Sequence, residues 1–524
     1  MKWIHANNKF TKRLFWLMLV SGLTRTLLAW WHELGNDEVY YFTYAAFPDL
    51  SHFDHPPMVG WMMQLFSLNL LFDSELFLRL SSVVLMTANT WLIFRTGKEL
   101  RDERTGWYAA LLYNSSVYAF VITGFMILPD TPQNFFWMLS LMLMIMATKA
   151  EVEPKKLNFL LAAIGLTIGL GMLSKYTSVF LWFGFGLYIL LFRRHWLKKP
   201  ALYLSVLLSA LCLLPVLLWN IENHFVSFTF QGERVNIFES SLRLSLFFTE
   251  LGGQVVYNNP VNYILVWLGV YWFLRKKNFI AFDQGSLLLL IALPLVFIFL
   301  FFALFRSTLP HWTGPAYNTM LLIAAAWLAT RHRAPVPQSI RIAFYVLLVF
   351  IVAGSLQIKF GLIPMKDNQP YHKLGNNDVT LDMYGWRELL PAFTALREKH
   401  IAEGKMKQTD ALLGENWFPL ANMDYYLARP LGMKAMGIGE PSRLHKYLWI
   451  NDIRGGFALG DDFWYITNSR DYKHPSEVYS GMFESIVPAD TIQIKRNGVV
   501  AKRYFVFMLN DLRVLPENHL ASGQ

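Results

Sequence analysis

Long apolar runs recur along most of this chain and constrain its fold more than any other feature. The first begins at Leu14 and reads LFWLMLVSGLTRTLLAWW, close to the ~20 apolar residues that a helix needs to cross a bilayer. Eleven such windows lie near residues 14–31, 77–97, 107–126, 134–148, 158–173, 177–192, 201–219, 261–274, 285–305, 314–330 and 341–357. Because 54% of the residues are hydrophobic and only 16% are charged, the sequence predicts an α-helical polytopic membrane protein with about 11 transmembrane helices.

Lysine and arginine are distributed unequally among the segments that join these runs. With the amino terminus inside, 21 of them, beginning with Lys2, fall in cytoplasmic segments. Only Lys175, Arg234, Arg243 and Arg306 fall in outside loops. The positive-inside rule therefore predicts a cytoplasmic amino terminus and an extracytoplasmic carboxyl-terminal region. The net charge of +10 follows mainly from this topology, so we expect no nucleic-acid partner.

The character of the sequence changes after Gln357. YGWRELLPAFTALREKH is typical of an amphipathic surface helix, and ALLGE, FWYIT and YFVFML resemble short strands. Asn497–Gly498 lies between two strand-like runs, which is a strong signal for a β-hairpin. We therefore expect a transmembrane domain over residues 1–357 and a small α/β extracytoplasmic domain over residues 358–524.

Polar residues that could carry chemistry are concentrated in the loops that this topology places outside. Carboxylates there could act as a general base, and cations could hold a phosphate group. Each residue alone is a weak signal, and their convergence at one membrane face is what indicates a site. The candidates are Asp37, Glu38, Asp54, His55, Asp130, Lys175, Tyr176, Arg306 and His311.

Several candidates also have purely structural interpretations. Asp37 and Glu38 would suit the start of a helix, because acidic side chains favour the positive end of the helix dipole. Asp130 could cap the next span, and Lys175 could extend its amine to the lipid headgroups. An arginine such as Arg306 is ordinary at the end of a span. Composition and spacing leave both interpretations open.

Asp54 lies between His52 and His55, and such side chains can bind a metal ion. Three of them within four residues form a loose pattern, so Asp54 is a weak metal candidate and zinc is not predicted. No cofactor is certain from the sequence, and a divalent metal stays open.

Five motifs occur in order along the chain: DE in the first outer loop, FDHPPM, LPDTP, LSKYT and LPHWTGPAY. Together they resemble the integral-membrane GT-C glycosyltransferases. More closely, they are similar to the bacterial branch of the dolichyl-phosphate-mannose protein mannosyltransferase superfamily, which includes the lipid A aminoarabinose transferases. The resemblance covers roughly residues 10–357. It implies a glycosyltransferase of the bacterial inner membrane that moves a sugar from a polyprenyl (undecaprenyl) phosphate carrier to an acceptor at the periplasmic face.

The same resemblance implies roles for individual residues. Asp37 matches the catalytic acid of the first outer loop, with Glu38 beside it, and Asp130 matches the acid after the third span. Residues 54–57 match an acid–basic–Pro–Pro element that lies near the donor phosphate. His55 stands where the aminoarabinose enzymes have lysine, so the charge at this position depends on pH.

The expected chemistry follows from these roles. Departure of the carrier phosphate would build negative charge, which Lys175, Arg306 or His311 could stabilise, with Tyr176 and Asp54 in support. Asp37 would deprotonate an incoming hydroxyl for in-line attack on the anomeric carbon, with inversion of configuration. If the acceptor were itself a phosphate, Asp37 would orient it instead. The acceptor stays open among protein Ser/Thr, lipid A and a growing glycan.

A transporter or flippase of a lipid-linked sugar is the alternative from another functional class. Such folds usually contain internal repeats, broken helices and charged groups near the membrane midplane. Here the apolar runs contain few acids, no half-to-half similarity is visible, and the polar groups cluster at one face. An inactive scaffold is disfavoured by the presence of Asp37, Asp130 and Lys175. The sequence therefore favours the enzyme.

Overall fold

The computed structural model describes residues 9–149, 152–237, 241–363 and 371–517. The chain divides into two compact units. One, here called the membrane unit, comprises Met1–Trp30 and Asp49–Val349. The other, here called the sheet unit, comprises Trp31–Pro48 and Phe350–Gln524. Lys2, the first of the predicted cytoplasmic charges, lies outside the described residues.

Helices dominate the described part of the chain up to residue 363. In order they are α1 Lys9–Trp31, α2 Asn36–Ala46, α3 Met58–Phe66, α4 Glu75–Leu100, α5 Glu103–Ser115, α6 Asp130–Ala147, α7 Pro154–Met172, α8 Val179–Phe192, α9 Pro200–Glu222, α10 Val226–Val235, α11 Leu244–Tyr257, α12 Pro260–Leu274, α13 Phe282–Phe302, α14 Gly314–Arg331 and α15 Gln338–Phe360. Pro154, Pro200 and Pro260 each start a helix, where the missing N–H has no partner to lose.

Within the described residues, six helices are long and apolar enough to cross a membrane: α1, α4, α7, α9, α13 and α15. The polytopic helical architecture is confirmed, whereas the predicted count of eleven spans is not. The predicted window 107–126 is interrupted, because α5 ends at Ser115 and a π-helical turn follows over Tyr118–Ile122. In α14 most side chains are buried against neighbouring helices, so this element accommodates polar residues such as Asn318. Burial inside the bundle thus relaxes the need for a long apolar run.

The helices α6, α7 and α9 are held together by small and hydroxyl-bearing residues. A methyl group added at Gly165 in α7 would lie 2.1 Å from the carbonyl oxygen of Ser205 in α9. Ser140 in α6 and Thr167 in α7 share a hydrogen bond of 2.8 Å. Close packing of small residues and hydrogen bonds between helices are the forces that associate helices in lipid. These contacts fix α6 against α7, whose adjoining ends carry two of the predicted site residues.

The sheet unit contains a five-stranded sheet in the order β2-β1-β3-β5-β4. Its strands are β1 Ala411–Gly414, β2 Lys434–Gly437, β3 Phe463–Asn468, β4 Phe483–Arg496 and β5 Val499–Leu512. Strand β1 is parallel to β2 and β3, whereas β5 is antiparallel to β3 and β4. The predicted hairpin is confirmed, with Asn497 and Gly498 both at positive φ between β4 and β5. The predicted amphipathic helix is Trp386–Ala402, whose Trp386, Leu389 and Phe393 are buried.

The first outer loop is divided between the two units, and Trp31–Pro48, which includes α2, belongs to the sheet unit. The backbone N–H of Leu34 donates to the Tyr426 hydroxyl at 2.7 Å, just before α2. On α2 itself, the ring of Tyr40 lies 5.0 Å from that of Trp417, and the ring of Phe42 lies 5.0 Å from that of Tyr425. Aromatic pairs at these separations add to the stability gained from buried area. The helix that carries Asp37 is therefore built into the core of the sheet unit.

Candidate active site

Asp130 and Lys175 form a buried ion pair in the membrane unit. Asp130 is the first residue of α6, and Lys175 lies in the short turn between α7 and α8. The Lys175 ammonium donates to Asp130 Oδ2 at 2.8 Å, and both side chains are less than a tenth exposed. The carboxylate therefore neutralises a cation, instead of capping α6. Such a pair is stable when both charges are well oriented, because taking either one alone out of water is costly.

The chain around the pair holds Lys175 in place. Gln133, one turn after Asp130 on α6, donates to Thr177 Oγ1 at 2.7 Å and to Ser178 Oγ at 3.2 Å. These bonds attach the turn after Lys175 to α6. The Lys175 ammonium also lies 5.7 Å from the centre of the Trp312 indole, at a distance that allows a cation–π interaction. The position of the amine is thus set by α6 on one side and by Trp312 on the other.

His311 approaches the same carboxylate oxygen of Asp130 that accepts from Lys175. Its Nε2 is 4.0 Å from Asp130 Oδ2. The segment that carries it packs tightly, because a methyl group at Gly314 would lie 2.4 Å from the Tyr118 ring. The buried Tyr118 hydroxyl interacts in turn with the Asp130 carboxylate. Among the described residues, the buried Asp130 Oδ1 has no hydrogen-bond partner that meets the usual geometric limits.

The two histidines of the site are neutral at neutral pH. Burial lowers the pKa of His55 to about 4, and nearby Lys175 and Arg234 act in the same direction against Asp54. Burial likewise lowers the pKa of His311 to about 4, although Asp130 opposes the shift. His55 Nε2 lies 3.9 Å from Asp54 Oδ2. Neutral imidazoles can donate one hydrogen bond to a phosphate, but they add no charge.

A cavity of about 890 Å³ opens beside Lys175 in the membrane unit. Lys175, Arg234, Arg243 and Arg306 line it, and no acidic residue does so among the described residues. Apolar side chains form another part of its wall, namely Val179, Phe180, Phe299, Phe302, Phe305 and Trp312, and neutral polar residues such as His55, Gln231 and Thr308 complete it. Cations beside an apolar surface suit a lipid that carries a phosphate. Guanidinium and ammonium groups bind phosphate oxygens strongly, and the apolar side chains would contact the hydrocarbon chain.

Arg306 lines the cavity with a side chain that could bind an anion. Its buried Nε has no hydrogen-bond partner among the described residues. Two residues later, the Thr308 hydroxyl donates to Glu250 Oε2 at 2.7 Å. Glu250 Oε1 accepts from Gln254 at 2.8 Å, and burial raises the Glu250 pKa. A hydrogen-bonded chain from α11 therefore fixes the segment that presents Arg306 to the cavity.

The predicted site residues are distributed over both units. The membrane unit brings together Asp130, Lys175, His311, His55, Asp54, Tyr176 and Arg306 around one cavity or its edge. Asp37 and Glu38 belong to the sheet unit. Asp37 is exposed on α2, whereas Glu38 is fully buried and its Oε2 accepts from the backbone N–H of Gly35 at 2.8 Å. Glu38 thus closes the start of its helix, and catalytic roles for either residue stay predictions.

The sequence interpretation missed several residues of the site. Arg234 and Arg243 line the cavity, and they were two of the four outside cations, so the charge distribution already carried a signal for them. Glu250 and Tyr118 had no comparable signal, since both lie in apolar stretches.

A metal site around Asp54 does not fit the structure. Among the described residues, no group of three or more His, Cys, Asp or Glu side chains could hold a metal ion. Asp54 and His55 approach each other, but no third donor completes a set. We therefore assign no step of the chemistry to a metal.

Comparisons with known proteins agree with this geometry. Residues 54–219 match the sequence profile of the dolichyl-phosphate-mannose-protein mannosyltransferase family, a range that includes His55, Asp130 and Lys175. Over 293 residues the chain is 21% identical to lipid A galacturonosyltransferase RgtD of Rhizobium johnstonii. That alignment covers 56% of this chain and 60% of RgtD, so the chain spans about three fifths of that relative.

Solved structures extend the likeness over nearly the whole chain. ArnT from Cupriavidus metallidurans superposes in its apo state with a TM-score of 0.61 at 12% identity, over 95% of this chain and 98% of ArnT. The same ArnT bound to undecaprenyl phosphate gives a TM-score of 0.62 at 14% identity, over 96% of this chain and 98% of ArnT. The resemblance found in the sequence is confirmed: the chain is a multi-pass membrane protein with the GT-C fold, similar to ArnT.

Proposed function

We propose that this protein transfers a sugar from a polyprenyl-phosphate carrier to an acceptor at the outer face of the bacterial inner membrane. The observation that carries the proposal is the cavity of the membrane unit, which is lined by four cations and a group of apolar side chains and has no acid among its described lining residues. A phosphate joined to a long prenyl chain needs cations for the phosphate and an apolar surface for the chain. The fold agrees, because the structure of ArnT was solved with undecaprenyl phosphate bound.

In this proposal the membrane unit stabilises the leaving phosphate. When the bond between the anomeric carbon and the phosphate oxygen breaks, that oxygen gains negative charge. Lys175 is already oriented by Asp130 and Gln133, so it would meet this charge without reorganisation. Arg306 would bind a second phosphate oxygen, and His55 and His311 would donate hydrogen bonds as neutral rings. Asp130 acts here as a positioning residue for Lys175.

The base in this proposal is Asp37. It is the exposed acid of α2, and the aromatic contacts of that helix hold it in place. It would accept the proton of an acceptor hydroxyl as that oxygen attacks the anomeric carbon, with inversion of configuration. General-base catalysis of this kind contributes about 10²–10⁴-fold to a rate.

We also propose an acidic donor sugar. A carrier phosphodiester has a single negative charge, whereas four cations line the cavity, one of them paired with Asp130. A carboxylate on the sugar would neutralise part of the remaining positive charge. The relative RgtD is named as a galacturonosyltransferase, so the group that its name gives is an acidic sugar. The matched test compares undecaprenyl-phosphate galacturonate with undecaprenyl-phosphate galactose, which differ only in the carboxylate. Equal turnover of the two would contradict the acidic donor and leave the transferase proposal standing.

The test of the function itself is transfer by the purified protein in nanodiscs. Labelled undecaprenyl-phosphate sugars are supplied with extracts that contain lipid A, glycan or protein acceptors, and the release of undecaprenyl phosphate is followed. Sugar-dependent release that needs an acceptor is the expected result. Movement of intact lipid-linked sugar across a vesicle bilayer, without release, would contradict the proposal.

A further inference from the structure

The sheet unit contains a cavity of its own that the proposed reaction does not use. It has a volume of about 920 Å³ and lies at the carboxyl ends of the parallel strands. Glu415 directly follows β1, Ile438 and Gly439 follow β2, and Lys473 follows β3. Because β2 and β3 lie on opposite sides of β1, the chain changes direction across the sheet at this point. In open α/β sheets, ligands bind outside the carboxyl ends of strands at such a switch point.

The floor of this cavity is rigid. The Asn451 side chain accepts from the Gly437 backbone N–H at 2.8 Å and donates to the Gly437 carbonyl at 2.7 Å. The N–H of Ile438 donates to the Gly414 carbonyl at 3.0 Å, which extends the pairing of β1 and β2. A methyl group at Gly439 would lie 2.7 Å from the Glu415 carbonyl oxygen, so only glycine permits this approach. The cavity is therefore formed before any ligand arrives.

Glu415 is a buried, oriented carboxylate in the wall of the cavity. Only 8% of its surface is exposed. Its Oε2 accepts from the Tyr465 hydroxyl at 3.1 Å, and its Oε1 lies 3.5 Å from the Lys473 ammonium. A carboxylate offers about four acceptor positions, so these partners hold Glu415 and still leave it able to accept from a ligand.

The lining as a whole accepts more hydrogen bonds than it donates. Five carboxylates line the cavity: Glu415, Glu440, Asp452, Glu477 and Glu517. Among the described lining residues, only Arg443 and Lys473 supply positive charge. The remaining wall is largely apolar, with Leu444, Phe457 and Met482 among its members. Ionised carboxylates accept hydrogen bonds and donate none, so a complementary ligand must be a donor.

We propose that this cavity binds an oligosaccharide segment with free hydroxyl or amino groups. Its hydroxyl and ammonium groups would donate to the carboxylates, and the C–H faces of its rings would pack on Phe457 and the aliphatic wall. An acidic or phosphorylated glycan would meet an excess of like charge. This site goes beyond the proposed transfer reaction and does not depend on it.

The test is calorimetric titration of the full-length protein in nanodiscs, with empty nanodiscs as the blank. The probes are the tetramer of glucosamine, the tetramer of N-acetylglucosamine, tetragalacturonate and trilysine. We expect the glucosamine tetramer to bind most tightly, the N-acetylglucosamine tetramer to bind more weakly, and tetragalacturonate not to bind at the same concentrations.

Variants locate the binding. Glu415→Gln should weaken binding of the glucosamine tetramer at least tenfold. The double variant Glu440→Gln/Glu477→Gln should do the same, and both of its residues are exposed, so it tests the site even if Glu415→Gln does not fold. Glu398→Gln removes an exposed carboxylate of the same unit outside the cavity and should leave binding unchanged.

Three results would overturn the site. One is equal binding by the wild type and the Glu440→Gln/Glu477→Gln variant. Another is tightest binding of tetragalacturonate, or no binding of either glucosamine oligomer. The third is trilysine binding as tightly as the glucosamine tetramer, since the cavity would then recognise positive charge alone.

Discussion

At the scale of single residues, Asp130 and Lys175 bury charges that neutralise each other. The Asp130→Asn variant would leave the Lys175 ammonium in the same buried place without its countercharge. We expect the free energy of unfolding to fall by about 3 kcal/mol or more, as is typical when one partner of a buried pair is removed. Thermal denaturation in detergent measures the loss.

The matched control for this prediction is the exposed pair between Lys149 and Glu99 in the same unit, where Lys149 is 42% exposed. Lys149→Gln should cost less than about 1 kcal/mol, because solvent screens such pairs. If the two variants lost the same stability, the Asp130–Lys175 pair would not be buried as described.

The two neutral histidines make the stability of the membrane unit depend on pH. The pKa of His55 and of His311 is about 4 in the folded protein and about 6.5 in the unfolded chain. The unfolded chain therefore binds more protons between these values, so stability is full above about pH 6.5 and is lost as the pH falls towards 4. Each histidine contributes at most about 3.5 kcal/mol, since one pKa unit corresponds to about 1.4 kcal/mol.

Melting temperatures from pH 7 down to pH 4 test this prediction. The His55→Gln/His311→Gln variant should lose less stability over that range than the wild type. Identical pH profiles would mean that the two rings are not buried in the folded state. Because both rings stay neutral in this range, their titration should not change donor affinity between pH 6 and pH 8.

At the scale of elements, the contact between the start of α14 and Tyr118 holds in place the tyrosine that interacts with Asp130. Gly314→Ala would force a methyl group into the Tyr118 ring, which the described packing places 2.4 Å away. We expect a loss of about 1–3 kcal/mol, the usual cost of overpacking, together with reduced donor affinity because Asp130 moves with Tyr118. Thermal denaturation and donor titration measure the two effects.

Gly186→Ala is the control for that substitution, because a methyl group there meets nothing within 4 Å. Adding Tyr118→Leu to Gly314→Ala should recover part of the lost stability by relieving the clash. A double variant no more stable than Gly314→Ala would show that the clash is not the cause.

The hydrogen-bonded chain from α11 makes a separate prediction. Glu250→Ala removes the acceptor of Thr308, so the segment that presents Arg306 loosens. Because Arg306 would bind the donor phosphate before and during the reaction, we expect the donor KM to rise several-fold with little change in kcat. Thr249→Ala, at an exposed neighbour, is the control. A fall in kcat at unchanged KM would instead give Glu250 a role in the chemical step.

These elements show what the sequence could and could not predict. The hairpin at Asn497–Gly498 was predictable because these two neighbouring residues determine the turn between its strands. Asp130, Lys175 and His311 were recognisable as one set because their motifs follow in order and the predicted topology places them at one face. Glu250 was not, since its role depends on a contact between α11 and residue 308 that no local pattern records. The predicted count of eleven spans is not confirmed, because only six of the described helices are both long and apolar enough to cross a membrane, and others such as α14 are shorter and buried among their neighbours.

At the scale of the whole molecule, the described part of each unit contains a large cavity, and the charges that line these two cavities are opposite in sign. The cavity of the membrane unit is lined by cations, and that of the sheet unit mainly by carboxylates. The division also separates the predicted acids, since α2 with Asp37 belongs to the sheet unit and Asp130 to the membrane unit. The sequence pattern did not foresee this, because residues 31–48 are adjacent in the chain to the first span. The sheet unit thus contributes the proposed base, so removing it should abolish transfer.

The most direct measurement compares donor binding and donor turnover in the wild type, Asp37→Asn and Lys175→Met, each purified in nanodiscs with undecaprenyl-phosphate sugar and acceptor extract. We predict that Asp37→Asn binds the donor normally but releases undecaprenyl phosphate at least about 100-fold more slowly, since it loses the general base. Lys175→Met should weaken donor binding about 10–100-fold, the effect of losing one charged hydrogen bond of about 1.5–3 kcal/mol. Wild-type rates and affinities in both variants would contradict the proposed active site.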